Sequence, residues 1–145
     1  MISYKEYLKE SEILSVKILM TDGIDFISLI PNEGGYDLLG GEQKEGETYR
    51  ETAIREIKEE TGYDVNGDNL ILFKRIMTRG KKDYYILYIK QDLPDIEKFY
   101  CNSKYKDKNG NMVPEIKGYE YKSLDNFTGF DKTFTEAIKQ IAIIL

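Results

Sequence analysis

Three glutamates in the middle of the chain are spaced so that a helix would bring them together. Glu56, Glu59 and Glu60 are related as i, i+3 and i+4, so at about 100° per residue they share one face. Like charges at this spacing repel by roughly a few tenths of a kcal/mol for each pair, and a bound cation would remove that repulsion. Oxygen ligands without histidine favour a hard cation, so Mg²⁺ is the first candidate and Mn²⁺ the second.

The segment before these glutamates can bring more oxygen atoms to the same face. Gly40 and Gly41 open a polar stretch that runs to Glu47, and glycine lets a backbone approach closely. Glu47 lies near the predicted helix start, where a carboxylate suits the helix dipole and could also reach the metal. Mg²⁺ usually keeps several waters and binds few carboxylates together with substrate phosphates. A phosphate ester or anhydride is therefore the natural ligand.

Composition excludes several other chemistries. The chain has 145 residues, no histidine, a single cysteine (Cys101) and a net charge of −5. Without histidine there is no Ser-His-Asp or Cys-His catalysis and no histidine-ligated zinc or iron. One cysteine excludes an intrachain disulfide and a multi-thiolate zinc site. The negative charge argues against a generic nucleic-acid binder, although it leaves room for a local basic patch.

Length and pattern predict one α+β domain over residues 1–145. Strands and helices are interleaved without regular alternation, which favours a mixed sheet flanked by helices. No apolar run approaches the roughly 20 residues that cross a bilayer, and the first residues lack the apolar region of a secretory signal. We expect a cytoplasmic protein with no membrane contact.

The elements that position the glutamates follow from periodicity and turn residues. Asp22-Gly23 predicts a hairpin, and Gly62 marks the end of the central helix. Residues 91–114 read as mostly loop, with a short helix near 94–100, and residues 79–83 read as a hairpin turn. The predicted strands cover 13–19, 26–30, 36–39 (ended by Gly40-Gly41), 70–77, 84–90 and 115–122, and the predicted helices cover 48–61 and 131–145.

The whole constellation resembles a known signature. The pattern begins with Gly41, continues after five residues with Glu47, and after seven more reads Arg55-Glu56-Ile57-Lys58-Glu59-Glu60-Thr61-Gly62-Tyr63. This pattern is similar to an unbroken Nudix box. The order of elements around it resembles the α/β/α sandwich of the Nudix hydrolases. The resemblance implies metal-dependent hydrolysis of a nucleoside diphosphate linked to another group. The chain departs from the family just before the box, where Leu39 replaces a frequent proline.

The resemblance also implies roles for individual residues. Glu56, Glu59 and Glu60 would be metal ligands, with Glu56 also a candidate general base, and Arg55 would orient the carboxylates. The Gly41 carbonyl could bind metal, and Glu47 would be an outer ligand or a helix anchor. Many family members use a further glutamate after the box, for which Glu115 and Glu120 are the candidates.

Substrate contacts are less well defined by the sequence. Tyrosines can stack on a base and lysines can hold phosphates, although strand tyrosines are often only half-buried packing residues and residues 98–111 could be a plain solvated loop. The candidates are Tyr84, Tyr100, Tyr105, Lys104 and Lys106, in a wider set with Tyr85, Tyr88, Lys74, Arg75, Lys81, Lys82 and Lys108.

Several substrates and partners stay open. A (d)NTP or oxidised nucleotide is expected first, because 145 residues leave little room for the extra dimerisation region typical of nucleotide-sugar pyrophosphatases. Dinucleoside polyphosphates come second and RNA 5′ ends third. The competing hypothesis is a nucleotide-binding Nudix module without turnover. The sequence does not decide whether the chain forms a homodimer.

Overall fold

The computed structural model describes residues 14–77 and 82–145. Residues 1–13 and 78–81 lie outside the described residues. They include the predicted strand start at Ile13 and three residues of the predicted hairpin turn, Arg79, Gly80 and Lys81. The strands are β1 Leu14–Thr21, β2 Asp25–Pro31, β3 Leu39–Glu42, β4 Ile71–Ile76, β5 Asp83–Lys90, β6 Lys104–Lys106, β7 Met112–Pro114 and β8 Ile116–Ser123; the α-helices are α1 Tyr49–Thr61 and α2 Lys132–Ile144.

A mixed six-stranded sheet forms the centre of the described structure. Five of its strands follow the order β4-β5-β1-β2-β8, and β3 pairs with β1. β1 runs parallel to β5 along its whole length. On its other edge, β1 pairs antiparallel with β3 over Ser15–Ile18 and with β2 at Thr21 and Phe26. β3 therefore lies beside β1 at the end of the sheet where β2 has diverged.

The two helices cover opposite faces of this sheet, as the predicted sandwich requires. Alternate side chains of a strand point to opposite faces, so Val16 and Ile18 of β1 pack in the cluster that contains Ala53 and Ile57 of α1. Leu19 points the other way and packs in the cluster that contains Phe134 and Ile138 of α2. The predicted core of α2 is confirmed at Phe134, Ala137, Ile138 and Ile141, whereas Ile144 is 56% exposed.

The predicted strand at 36–39 was misplaced. β3 begins at Leu39 and contains Gly40 and Gly41, which the sequence analysis took as the end of a strand. Gly40 adopts φ 140°, and a Cβ on it would overlap the Val16 carbonyl of β1. The glycine therefore belongs inside the strand, because β3 approaches β1 too closely for a side chain.

The segment read as mostly loop contains regular structure. Residues 96–98 form a 3₁₀ helix, close to the short helix predicted there. β6 and β7 then form an antiparallel two-stranded hairpin, with Lys104 opposite Pro114 and Lys106 opposite Met112. These three-residue strands are largely exposed, so they lack the buried alternation that reveals a strand in a sequence. A second 3₁₀ helix spans Gly67–Asn69, and this one was not predicted.

Within the described residues, neither helix has the length and apolarity needed to cross a membrane.

Candidate active site

The helix α1 carries the three glutamates and is capped at both ends. Thr48 is the N-cap, and its hydroxyl accepts a hydrogen bond from the Glu51 N–H while the Glu51 side chain accepts one from the Thr48 N–H. Gly62 follows the helix with φ 76°, a left-handed conformation that glycine adopts without strain. The predicted helix over 48–61 is confirmed to within one residue.

Arg55 holds the acidic face of α1 together. Its Nε donates to Glu47 Oε2 at 2.7 Å, and its Nη2 donates to Glu47 Oε1 at 3.0 Å and to the Glu42 carbonyl at 2.9 Å. Its Nη1 donates to Glu56 Oε1 at 2.8 Å and to Glu59 Oε2 at 3.2 Å. One guanidinium therefore ties the loop after β3 to two carboxylates of the helix, in the planar geometry that arginine favours.

Glu47 serves in this network as the partner of Arg55. Both of its carboxylate oxygens accept from Arg55, and Oε1 also accepts from the Lys44 N–H and the Thr52 hydroxyl. The hydrogen bonds from Arg55, above all, lower the pKa of Glu47 to about 2. These contacts occupy the oxygens that a metal would need, so the geometry favours the helix-anchor role over the ligand role for Glu47.

Glu56 lies against the glycine strand β3. A Cβ on Gly41 would overlap the Glu56 carboxylate, so the absence of a side chain at Gly41 leaves the space in which this carboxylate sits. Burial raises the pKa of Glu56, and the hydrogen bond from Arg55 opposes that rise. The structure therefore brings Gly41, Arg55 and Glu56 together.

Glu60 is almost fully buried and turns toward β3. Its Oε1 accepts a hydrogen bond from the Gly40 N–H at 2.8 Å, and its residue is only 6% exposed. Burial raises the pKa of Glu60 well above its ordinary value. A buried carboxyl with this cost is unusual in a purely structural helix, and it points to a role in the chemistry of the site.

The last turn of α1 is fixed by partners that the sequence analysis missed. The Glu59 carbonyl accepts from the Asn102 N–H at 2.7 Å, and the Thr61 carbonyl accepts from the Tyr100 N–H at 3.2 Å. The Glu60 carbonyl accepts from the Tyr119 hydroxyl. The carbonyls that a helix end leaves without helical partners are therefore satisfied by residues of a distant segment and of β8. No local signal predicts these partners, because they are 39 or more residues away along the chain.

The donor set fits a hard divalent cation. Arg55 Nη1 donates to both Glu56 Oε1 and Glu59 Oε2, so one positive charge already draws two carboxylates together, and carboxylate oxygens are ligands that Mg²⁺ prefers. In the described part of the chain, no three His, Cys, Asp or Glu side chains already gather closely enough to hold a metal ion.

The two later glutamates lie on different sides of the sheet. The Glu115 N–H donates to the Ser103 carbonyl at 3.1 Å, one residue after Asn102, whose N–H donates to the Glu59 carbonyl; the backbone of Glu115 therefore lies near the last turn of α1. Tyr119 packs in the α1 cluster, so its neighbour Glu120 points to the opposite face of β8. There Glu120 pairs with Lys122 at 3.0 Å. Of the two candidates, the structure brings only Glu115 to the site.

The predicted substrate residues are also divided. Tyr84 packs edge-on against Phe134 of α2 at 5.1 Å, on the face away from the glutamates, which matches the alternative of a packing tyrosine. Tyr100 is 54% exposed, and its ring covers Gly62 at the end of α1. Tyr105, Lys104 and Lys106 all lie on β6. The structure therefore brings Tyr100 to the carboxylate helix and groups the other three on the β6–β7 hairpin.

Comparison with protein families gives one assignment. The model described as NUDIX domain matches residues 14–139. No curated protein sequence matched the chain.

Solved structures share the fold at low sequence identity. A MutT protein from Methanosarcina mazei Go1 is 19% identical with a TM-score of 0.67, over 93% of this chain and 96% of that one. A hydrolase of the NUDIX family from Clostridium perfringens is 14% identical with a TM-score of 0.58, over 93% and 99%. An ADP-ribose pyrophosphatase from Streptococcus suis is 16% identical with a TM-score of 0.56, over 92% of each chain. At these identities the likeness concerns the fold.

Proposed function

The chain belongs to the NUDIX family of hydrolases, and we propose that it is a Mg²⁺-dependent pyrophosphohydrolase that cleaves a small nucleotide at a phosphoanhydride bond. The observation that carries the proposal is the placement of Arg55 Nη1 between Glu56 Oε1 and Glu59 Oε2. Two carboxylates already converge on one positive charge there, so Glu56 and Glu59 would hold a divalent cation, whose preferred ligands are oxygens.

The residues around this point have separable tasks. Glu56 and Glu59 would hold the metal, with Glu60 as a further ligand once its carboxylate leaves the Gly40 N–H. Arg55 keeps the two ligands on one side of α1, and Glu47 keeps Arg55 in place. Gly41 has no side chain and so leaves room for the Glu56 carboxylate beside the backbone of β3; its carbonyl is a further candidate ligand.

Hydrolysis needs charge neutralisation and a proton acceptor. Mg²⁺, or Mn²⁺ in its place, would supply neutralisation of the phosphate oxygens and a more acidic attacking water. Glu56 is the candidate general base, because its carboxylate is partly buried and faces the same space as Glu59. Glu115 is the second candidate, since its N–H donates to the Ser103 carbonyl, next to the residue that binds the last turn of α1.

Small nucleotides are the proposed substrates, with a (d)NTP or an oxidised nucleotide first. The relatives by fold include proteins named MutT and ADP-ribose pyrophosphatase, and the second name supports a pyrophosphate linkage as the bond attacked. Dinucleoside polyphosphates and RNA 5′ ends are the alternatives.

A substrate panel tests the proposal. The purified protein is incubated with (d)NTPs, an oxidised guanine nucleotide, ADP-ribose, a dinucleoside polyphosphate and a 5′-triphosphorylated RNA, each with Mg²⁺ and with excess chelator. We expect Mg²⁺-dependent release of phosphate or pyrophosphate, with defined nucleotide products, from at least one compound and from none in chelator. Binding without turnover across the panel would overturn the proposal in favour of a nucleotide-binding module.

A further inference from the structure

We propose that the β6–β7 hairpin is a cationic arm that binds a run of substrate phosphates extending beyond the bond that is cleaved. This inference rests on the proposed function, because it takes the carboxylates of α1 as the place of cleavage. It goes further by proposing that Lys104, Lys106 and Lys108 bind the substrate phosphates that lie beyond the cleaved bond.

The charge on the hairpin differs from the charge on the rest of the chain. The chain has a net charge of −5, whereas the hairpin carries three lysines and a single acid between residues 104 and 114. Several other cations of the protein are paired with acids, as Lys17 is with Asp37 and Lys58 is with Asp64. In the described part of the chain, no carboxylate lies within ion-pair distance of the three hairpin lysines.

The one acid of the hairpin is occupied by the turn. Asp107 Oδ1 accepts hydrogen bonds from the Asn109 N–H and the Asn111 N–H, each at 2.9 Å. Gly110 completes this turn with φ 81°, and its N–H donates to the Asp107 carbonyl. Asp107 therefore shapes the tip of the hairpin and leaves the neighbouring lysine amines available to an external anion.

The base of the hairpin, where β6 begins and β7 ends, lies near the last turn of α1. On the first strand, the Asn102 N–H donates to the Glu59 carbonyl at 2.7 Å, and Lys104 follows within about 7 Å along the backbone. At the end of the second strand, the Glu115 N–H donates to the Ser103 carbonyl at 3.1 Å, which ties this strand to the residue that follows Asn102. Asn32 holds this second strand, because its side-chain amide donates to the Pro114 carbonyl and its N–H donates to the Glu115 carbonyl. The hairpin is thus fixed at its base, near the last turn of α1.

The spacing of the lysines selects a chain of phosphates over a single one. Lys104 and Lys106 share one face of β6, with Cα atoms about 7 Å apart, and Lys108 continues the series into the turn. A pyrophosphate held by the carboxylate site cannot occupy this whole row. A longer oligophosphate or the backbone of a single RNA strand can, and these two sources share the same chemistry of repeated phosphate charges.

Binding of non-hydrolysable phosphate compounds tests the inference independently of turnover. The probes are methylene-bridged nucleoside di-, tri- and tetraphosphates and a short RNA, about ten nucleotides long, with a methylene-bridged 5′-triphosphate. The hairpin variant replaces Lys104, Lys106 and Lys108 by Gln. The control variant replaces three exposed lysines elsewhere, Lys90, Lys132 and Lys139, so that both variants have the same net charge. Dissociation constants are measured by calorimetry or fluorescence anisotropy over a range of salt concentrations.

We expect the hairpin variant to bind the longest probe at least about ten-fold more weakly than wild type, with a loss that grows with the number of phosphates. Loss that reaches its limit at the nucleoside tetraphosphate identifies an oligophosphate, and further loss with the RNA identifies a nucleic-acid strand. In the second case the slope of log K against log salt should decrease by about 2, since about 0.7 counterions are released for each contact. The control variant should bind all probes as wild type does.

Equal effects of the two variants, or a loss that is the same for every probe, would overturn the inference. Its failure can be told apart from failure of the proposed function. If the substrate panel shows turnover and the hairpin variant binds normally, only the inference is wrong. If no panel compound is hydrolysed but the hairpin variant still loses binding in proportion to phosphate number, the hairpin inference holds for a binding protein and the proposed hydrolysis is wrong.

Discussion

The two α-helices have the same length and occupy equivalent places on opposite faces of one sheet, but they bury different side chains. α1 and α2 each span 13 residues. α2 buries only apolar side chains, at Phe134, Ala137, Ile138 and Ile141. α1 buries Ala53 and Ile57 in the same manner, and it also buries Thr52, Glu60 and Thr61.

This difference separates a stabilising helix from a functional one. Burial of apolar surface on α2 favours folding at roughly 25 cal/mol for each Å². On α1, burial raises the pKa of Glu56 and of Glu60, which means that the folded protein disfavours their charged forms. A helix with a structural role alone could avoid that cost with apolar residues at these positions. The acidic face of α1 is therefore best explained by a ligand that needs it.

Shortening a core side chain of α2 should give the largest change in stability. Ile138→Ala removes a fully buried side chain, so we expect the free energy of unfolding to fall by about 2–5 kcal/mol. Turnover for each folded molecule should stay as in wild type. Urea unfolding and an assay at a temperature where the variant is folded check the two parts. Lost turnover with an intact fold would show that α2 contributes to the chemistry and would break the comparison.

Removing one carboxylate charge from α1 should lower turnover while the protein stays folded. Glu59→Gln keeps the size of the side chain but removes a proposed metal ligand, and we expect turnover to fall at least about 100-fold, or about 2.7 kcal/mol in the barrier. Glu136→Gln is the matched control, because Glu136 is an exposed acid of α2. Steady-state kinetics with circular dichroism checks both variants. Equal activity of Glu59→Gln and Glu136→Gln would contradict the assignment of the site to α1.

A smaller effect, on stability, is expected at low pH from Glu47, the carboxylate that holds Arg55. The folded state lowers the pKa of Glu47 from 4.5 to about 2, so its stabilising contribution is present above pH 4.5 and is lost as the pH falls toward 2. Wild type should therefore be more stable than Glu47→Gln near neutral pH, and this difference should shrink across that interval. Urea titrations at several pH values measure it. A difference that is constant from neutral pH to pH 2 would show that the carboxylate of Glu47 is not held by Arg55.

The parts of the fold with local signals could be predicted from the sequence. The helix over 48–61 has strong helix formers and ends at Gly62, and the periodic apolar residues of α2 are buried as expected. The pair Thr48 and Glu51 also matches a capping box, a local signal for the helix start that the structure shows to be formed. Arg55 reaches Glu59 because residues at i and i+4 share one face of a helix, and that proximity needs no tertiary information.

The parts that depend on distant contacts could not be predicted. The face on which Tyr84 and Glu120 lie is set by the register of β5 and β8, and a shift of one residue in either strand reverses it. The hairpin of β6 and β7 has three-residue strands that remain exposed, so no alternation marked them. Asn102 and Tyr119 satisfy the last carbonyls of α1 across the tertiary structure, and nothing in the local sequence identifies them.

The measurement that tests the central claim most directly is the melting temperature as a function of Mg²⁺ concentration, for wild type, Glu59→Gln and Glu136→Gln. A ligand that binds only the folded state stabilises it by mass action. If the acidic face of α1 holds the metal, the melting temperature of wild type and of Glu136→Gln should rise by the same amount, and that of Glu59→Gln should rise much less. Melting temperatures that do not change with Mg²⁺ up to millimolar concentrations, or that rise equally in all three proteins, would contradict the claim that the acidic face of α1 holds the metal.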